Sequence, residues 1–288
     1  MGVKIQTIKD IRFYLAKELK AIYKEPEIRI LADIIIKNVT GITKLHQLYN
    51  NKYILNVGVA QKVIEFVEEL KTGKPIQYVI GETVFYDCVI KVNRSTLIPR
   101  PETEELVDLI IRENQGYKGH IMDIGTGSGC IAVALAANIR SAALTGIEIS
   151  EEAIKIAAEN AVLNNVKISL IKGDIFNLDT ETVSKTGMIV SNPPYVRNSE
   201  KAHMAKNVLD FEPHQALFVT DSDPLMYYNA ILKLAEKVLL PRGLLYFEIN
   251  EAMGRSLQQL FESFDYSDIK VFSDINDKER IIRGRKNG

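Results

Sequence analysis

The run Ser191-Asn192-Pro193-Pro194-Tyr195 joins a carboxamide, two residues without a backbone N–H and an aromatic ring, directly after the apolar stretch Met188-Ile189-Val190. That order puts it where a buried strand gives way to a loop. A planar N–H₂ group is held by acceptors, because both of its hydrogens are donors. The Asn192 side-chain oxygen is one acceptor, and a backbone carbonyl of the Pro-Pro segment, that of Pro193, is a second. Pro193 and Pro194 bring no competing donors, and a residue that precedes proline is pushed to extended geometry, which fixes where its carbonyl points. A nitrogen held in this way can pyramidalise toward an electrophile while the acceptors stabilise its developing positive charge. The Tyr195 ring is expected to pack on the plane of the bound group. Alone, the run reads equally well as a proline turn capping a strand.

A second constellation favours the chemical reading. Asp123-Ile124-Gly125-Thr126-Gly127-Ser128-Gly129 follows a short apolar run and precedes a small-residue helix. Its glycines let backbone approach a ligand closely, and the helix start supplies free N–H groups. Glu148 ends the next strand 21 residues after Gly127, where a carboxylate can take both hydroxyls of a ribose. A dinucleotide fingerprint would need its third glycine at position 130, which is Cys130. Asp123 would also repel a pyrophosphate, whereas it suits the cationic amino-acid portion of S-adenosylmethionine. Asp174 and Ile175 follow the third strand, where such folds contact adenine; Asp174 reads equally as a helix cap.

These residues need a scaffold, and the chain of 288 residues alternates strand and helix from residue 119 onward. Apolar runs predict strands over 121–124, 143–149, 168–171, 188–191, 244–249, 269–272 and 280–283. Helices are expected at 131–137, 151–164, 224–240 and 252–264. The last two strands are separated by too little chain for a helical crossover, so they form an antiparallel hairpin. The expected fold is α/β: a doubly wound, mostly parallel, seven-stranded Rossmann-like sheet with one antiparallel strand. Before it, Ile5, Ile8, Ile11, Leu15, Leu19 and Ile22 mark one buried helix face, with Pro26 breaking that helix. Ile28, Leu31, Ile34 and Ile35 mark a second helix, Gly41 and Asn50-Asn51 punctuate a short third, and Val59, Val63, Phe66, Val67 and Leu70 mark a fourth. Tyr78-Val79-Ile80, Val84-Phe85-Tyr86 and Cys88 to Val92 read as short β runs, giving a hairpin. The domains expected are a helical bundle over 1–73, a linking hairpin over 74–98 and the α/β domain over 99–288.

Composition excludes several classes of function. Net charge is −1, which argues against a large phosphate-binding surface and hence against nucleic acid as a partner. No apolar stretch reaches the roughly 20 residues that cross a membrane, and the N-terminus reads as neither signal nor transit peptide. Cys88 and Cys130 give no disulfide framework, and four scattered histidines show no metal-ligand spacing. A cytoplasmic, metal-free protein, acting as a monomer, is expected.

The glycine turn, Glu148-Ile149-Ser150 and the Asn192-Pro193-Pro194-Tyr195 loop together resemble the release factor glutamine methyltransferases. Leu97-Ile98-Pro99-Arg100-Pro101-Glu102-Thr103-Glu104, Glu212-Pro213 with Ala216-Leu217, and Asp274 followed by Arg280 extend the resemblance over nearly the whole chain. It is weakest in the first 70 residues. Two departures are visible: Glu148 where the family usually has Asp, and Asp87 where the hairpin often has Gly. The resemblance implies a class I methyltransferase domain that uses S-adenosylmethionine. It also implies methyl transfer to the side-chain nitrogen (N5) of the glutamine in the Gly-Gly-Gln motif of peptide chain release factors. The helical bundle is expected to dock that substrate. Arg100 is expected either to orient Glu102 to Glu105 or to meet the protein substrate, Glu212 to shape the substrate wall, and His214 and Arg280 to be structural. A nucleic-acid adenine methyltransferase using the same loop, and a non-catalytic module sensing S-adenosylmethionine, are the alternatives.

Overall fold

A computed structural model of the chain describes residues 5–43, 45–46 and 53–288. It divides into two compact units, Met1–Gly81 with Ala205–Phe211, and Glu82–Met204 with Glu212–Gly288.

The first unit is helical. Helix α1 (Ile8–Leu19) opens on a capping box in which Thr7 Oγ1 accepts the Asp10 N–H at 3.2 Å while the Asp10 carboxylate accepts the Thr7 N–H at 2.9 Å. Ile8, Ile11, Leu15 and Leu19 are buried as the spacing predicts, but Ile22 lies past the helix end and is exposed. Helix α2 (Glu25–Thr40) carries Pro26 in its first turn, so that proline starts a helix rather than breaking one. Its buried stripe is Ile28, Leu31, Ala32, Ile35 and Ile36, and Ile34 faces outward. Helix α3 (Val59–Lys71) buries Val63, Phe66, Val67 and Leu70. The expected strand at Tyr78-Val79-Ile80 is instead helix α4 (Ile76–Ile80), begun after Pro75 and ended by Gly81 at φ 87°, whose N–H reaches the Gln77 carbonyl at 2.8 Å. Three consecutive apolar residues are too few for periodicity to separate the two conformations. The short third helix expected between Gly41 and Asn50-Asn51 lies largely outside the described residues.

The second unit opens with a hairpin, β1 (Glu82–Phe85) and β2 (Cys88–Lys91), paired antiparallel. Its two loop residues, Tyr86 and Asp87, take φ 44° and 62°, the left-handed sense that two-residue hairpins demand. Asp tolerates that region where Gly is usual. Tyr86 is pinned by helix α5 (Pro101–Glu113): its N–H donates to Glu104 Oε1 at 3.0 Å and its hydroxyl to Asp108 Oδ1 at 3.1 Å.

The main sheet contains β3 (His120–Ile124), β4 (Ala143–Glu148), β5 (Ser169–Lys172), β6 (Thr186–Ser191), β9 (Leu239–Glu248), β10 (Tyr266–Ser273) and β11 (Glu279–Lys286). Their order is β10-β11-β9-β6-β3-β4-β5, and β11 alone runs antiparallel to both neighbours. This is the expected doubly wound sheet with one reversed strand. Helices α6 (Cys130–Asn138), α7 (Glu151–Leu163), α8 (Met226–Val238) and α9 (Gly254–Ser263) follow the alternation. Short strands β7 (Val196–Arg197) and β8 (Phe218–Val219) pair separately. Strand β9 begins five residues earlier than the run 244–249 predicts, because Thr186 pairs with Leu239 across a register shift. The Pro241-Arg242-Gly243 segment inside that irregularity looks like a turn in sequence.

An aromatic chain fills one core: Tyr228 meets Phe247 at 5.1 Å, Phe247 meets Phe261 at 5.6 Å and Phe261 meets Tyr266 at 5.1 Å, all edge to face. Strand β3 lies between β4 and β6, so the chain leaves it to both sides. A crevice therefore opens at the carboxyl ends of these strands.

Candidate active site

The glycine turn lies at the carboxyl end of β3. Gly125, Gly127 and Gly129 all sit in the left-handed region, at φ 70°, 55° and 78°. A Cβ on Gly129 would stand 3.1 Å from Ala157 Cβ, so this glycine lets α6 and α7 approach. A Cβ on Gly125 would meet nothing within 4 Å; that glycine lines a cleft of about 420 Å³ and keeps it open. The turn is tied to β4 by the Gly125 and Thr126 N–H groups, which reach the Ile147 carbonyl at 2.9 and 3.0 Å.

Glu148, at the end of β4, accepts the Gly127 N–H at 2.9 Å through Oε2, and the Ile149 and Ser150 N–H groups at 2.8 and 2.9 Å through Oε1. Three backbone donors fix a half-buried carboxylate on the cleft wall and take three of its roughly four acceptor positions, leaving one on Oε2 for a hydroxyl. Asp123 is placed differently. It is fully buried beneath the turn and does not line the cleft. Its Oδ2 accepts the Thr126 hydroxyl at 2.6 Å, while Oδ1 has no partner. Burial, reinforced by the charge of Glu148, pushes its carboxyl up to about 7. The direct contact with a ligand cation expected of Asp123 is not what this position offers; the residue braces Thr126. Gly146 in β4 makes room for that brace, since a Cβ there would come within 2.9 Å of Thr126 Cγ2.

Asp174 and Ile175 both line the cleft after β5. Asp174 also caps its own turn, accepting the Phe176 N–H at 3.0 Å and the Asn177 side-chain amide at 2.8 Å. Beside them Phe176 and Tyr227 pack at a tilt of 53° with ring centroids 5.1 Å apart, and both residues line the cleft. This aromatic wall was not visible in the sequence, because its partners are 51 residues apart and neither lies in a motif.

Ser191, Asn192, Pro193 and Pro194 line the same cleft as the glycine turn and Glu148. The fully buried Ser191 hydroxyl donates to the Ile124 carbonyl at 2.6 Å and locks the end of β6 to β3. Tyr195 does not line the cleft. Its hydroxyl donates to Glu248 Oε1 at 2.9 Å, and burial raises it well above the ordinary phenol range. Glu248 Oε2 takes the Thr103 hydroxyl at 2.6 Å, and Thr103 Oγ1 lies 3.2 Å from Asn192 Nδ2. Sequence reading singled out neither Thr103 nor Glu248 as a site residue.

Arg100 lines the cleft, and its guanidinium donates to Glu212 Oε1 at 2.6 Å. Glu212 also accepts the Ile98 N–H at 3.2 Å. Arg100 therefore binds Glu212 rather than orienting Glu102 to Glu105, and the pair joins two stretches that are far apart in sequence. His214 packs on Phe218 with centroids 5.2 Å apart. Arg280 donates to Asp274 Oδ2 at 3.2 Å. Among the described residues, no group of three His, Cys, Asp or Glu side chains is arranged to hold a metal, and no helix is long and apolar enough to cross a membrane.

The fold and this cleft define a doubly wound methyltransferase, and comparison with known proteins agrees. The family model for the methyltransferase small domain matches residues 103–217, and that for the PrmC N-terminal domain matches residues 11–81. A methyltransferase from Pyrococcus furiosus has the same fold, with TM-score 0.52 and 17% identity over 69% of this chain and 89% of that one. A release factor glutamine methyltransferase of Flavobacterium psychrophilum is 42% identical over 287 residues, 96% of this chain and 98% of its own. One from Bacteroides thetaiotaomicron is 40% identical over 277 residues, 96% and 99% of the two chains. This chain belongs to the release factor glutamine methyltransferase family.

The methyl donor of such enzymes is S-adenosylmethionine, and the residues present fit it. The glycine turn keeps the cleft open, Glu148 presents a carboxylate at the β4 end, and the tilted pair Phe176 and Tyr227 provides an aromatic wall.

Proposed function

We propose that this protein methylates the side-chain amide nitrogen (N5) of a glutamine in peptide chain release factors, supporting translation termination. The observation that carries the reading is that Asn192, Pro193 and Pro194 share one cleft with the glycine turn and Glu148. That shared lining supports the reading, since an acceptor for a planar N–H₂ group would then lie beside the residues assigned to the cofactor.

Glu148 is the residue for the ribose hydroxyls, and Gly125, Thr126, Gly127, Ser128 and Gly129 cradle the amino-acid portion. Asp123 supports that cradle from beneath, and Asp174 and Ile175 with Phe176 and Tyr227 flank the base. Held there, S-adenosylmethionine would supply an electrophilic sulfonium methyl whose leaving group is a neutral thioether, the sulfur keeping the electron pair. The amide nitrogen is a poor nucleophile because its lone pair is delocalised. Asn192 Oδ1 and the Pro193 carbonyl accept its two hydrogens, hold it in line and stabilise its growing positive charge. The methylated nitrogen is far more acidic and releases its proton to water afterwards, so no dedicated base is required. Pro194 keeps the loop extended, and Tyr195, anchored on Glu248, supports the loop from behind. Arg100, held by Glu212, stands at the cleft for the protein substrate. The helical unit docks the release factor.

Replacing the acceptor tests this assignment. Asn192→Ala is expected to cost transfer at least about 10²-fold, the usual worth of one positioned group at developing charge, while the affinity for S-adenosylmethionine, measured by calorimetry, largely survives. Wild-type turnover by this variant would show that the amide is held elsewhere.

A further inference from the structure

The acceptor role of Asn192 requires one orientation of a side chain whose two ends are nearly the same shape. Rotated by half a turn, Asn192 would present an N–H₂ group to another N–H₂ group, and the site would repel its substrate's hydrogens. The residue's neighbours settle the matter by counting hydrogens. Glu248, at the end of β9, is 1% exposed and its carboxylate oxygens can only accept. Oε1 receives the Tyr195 hydroxyl at 2.9 Å and Oε2 receives the Thr103 hydroxyl at 2.6 Å. Thr103, in the first turn of α5 and 2% exposed, has one hydroxyl hydrogen and commits it to Glu248. Toward Asn192 the Thr103 oxygen therefore offers lone pairs alone, and the atom 3.2 Å away must be the donor Nδ2. Oδ1 is left as the end free to accept.

We infer that Glu248 and Thr103 are positioning residues, a two-member relay that sets which end of the Asn192 amide meets the reacting nitrogen. The relay rests on the acceptor role given to Asn192 above. It also explains why the fold keeps a carboxylate at full burial, since an apolar side chain at position 248 would avoid the desolvation that raises this group. The charged form is supported by its two hydroxyl donors and by Arg280, and opposed by burial and by Glu102. Tyr228 closes the site from the α8 side, its hydroxyl on the Glu248 backbone carbonyl at 3.0 Å. Tyr195 shares the same anchor, so one carboxylate fixes both ends of the Asn192-Pro193-Pro194-Tyr195 loop. The relay joins the start of α5, the loop after β6 and the end of β9. The resemblance of 97–104 to the family signature thereby gains a physical use for Thr103.

The test uses the full chain with release factor and S-adenosylmethionine under single-turnover conditions. Thr103→Val keeps the shape and removes the lone pairs; its rate should fall about 10²-fold. The Kd for S-adenosylmethionine should stay within about threefold, because the contacts assigned to the cofactor do not depend on the orientation of Asn192. Thr103→Ser, which restores the hydroxyl, should recover most of the rate. Glu248→Gln offers a donor as well as an acceptor and no longer dictates the direction of the Thr103 hydrogen, so its rate should fall similarly. A wild-type rate for Thr103→Val overturns the relay. So does a parallel loss of rate and cofactor affinity that Thr103→Ser fails to repair, which would mark a structural role. Asn192→Ala separates the two levels: inactive Asn192→Ala beside fully active Thr103→Val removes the relay alone, whereas active Asn192→Ala removes the acceptor assignment beneath it.

Discussion

Asp123 carries its carboxyl into complete burial at the end of β3, and the consequence is readable in pH. Its ordinary value is 3.8, and burial lifts it to about 7 in the folded protein. Between those values the native state holds a proton that the unfolded chain has released. Stability contributed by this group is therefore fully present below about pH 4 and is lost as pH rises toward 7. Asp123→Asn removes that dependence. Urea unfolding of the cofactor-free protein between pH 4.5 and 7.5 should show the wild type losing about 3 kcal/mol relative to the variant. A difference between the two that stays constant with pH would contradict the burial argument. At this scale the sequence was informative wherever chemistry is written in contiguous residues. Gly125 to Gly129, Glu148 and Asn192 to Pro194 reach one cleft, as their types and spacing imply. Thr103 and Glu248 were not legible as site residues, since they lie 145 positions apart and meet only because α5 and β9 converge. The position of Asp123 was misjudged for a related reason: spacing locates a residue on a strand but does not say on which side of the turn its side chain lies.

Helix α7 shows how one element holds several others. Asn160 and Asn164, one turn apart, act toward β2 as a neighbouring strand would. The Asn160 amide accepts the Lys91 N–H at 2.7 Å and donates to the Lys91 carbonyl at 3.0 Å. Asn164 accepts the Val89 N–H at 3.1 Å and donates to the Val89 carbonyl at 2.8 Å. The free edge of the hairpin is thereby satisfied without another strand. Asn160 also donates to the Ser128 carbonyl at 2.8 Å, so the same side chain braces the glycine turn. Asn160→Ala would leave two carbonyls and an N–H without partners at a fully buried position. It should cost roughly 3 kcal/mol by thermal unfolding and weaken S-adenosylmethionine binding through the loosened turn. Unchanged cofactor affinity in a destabilised variant would separate the turn from this brace. Elements were legible where the apolar period was long, as in α1, α3 and the parallel strands. Short or interrupted runs were not: Ile76–Ile80 is helical, and β9 passes through a segment that looks like a turn. Asparagine pairs that mimic a strand leave no mark on an apolar pattern.

At the scale of the whole molecule, two activities are assigned to two parts of the chain. Among the described residues, those that line the cleft lie between Ser95 and Ile231, so the proposed cofactor site falls within the α/β unit. Removing residues 1–72 should therefore raise the KM for release factor by an order of magnitude or more while leaving the Kd for S-adenosylmethionine within about threefold, with circular dichroism reporting that the remainder is folded. An unchanged KM would remove the docking role of the helical unit. The net charge of −1 bears on the choice of substrate, because nucleic acid demands a basic face. The acceptor role proposed for the loop after β6 calls for a planar N–H₂ group, and both glutamine and adenine carry one. The family and the charge favour glutamine. The most direct measurement supplies the enzyme with methyl-labelled S-adenosylmethionine, purified release factor and double-stranded DNA together, and locates the label by mass spectrometry. One labelled methyl on the side-chain nitrogen of the release factor's Gly-Gly-Gln glutamine, and none on DNA, is the predicted result; label on adenine, or on neither substrate, would contradict it.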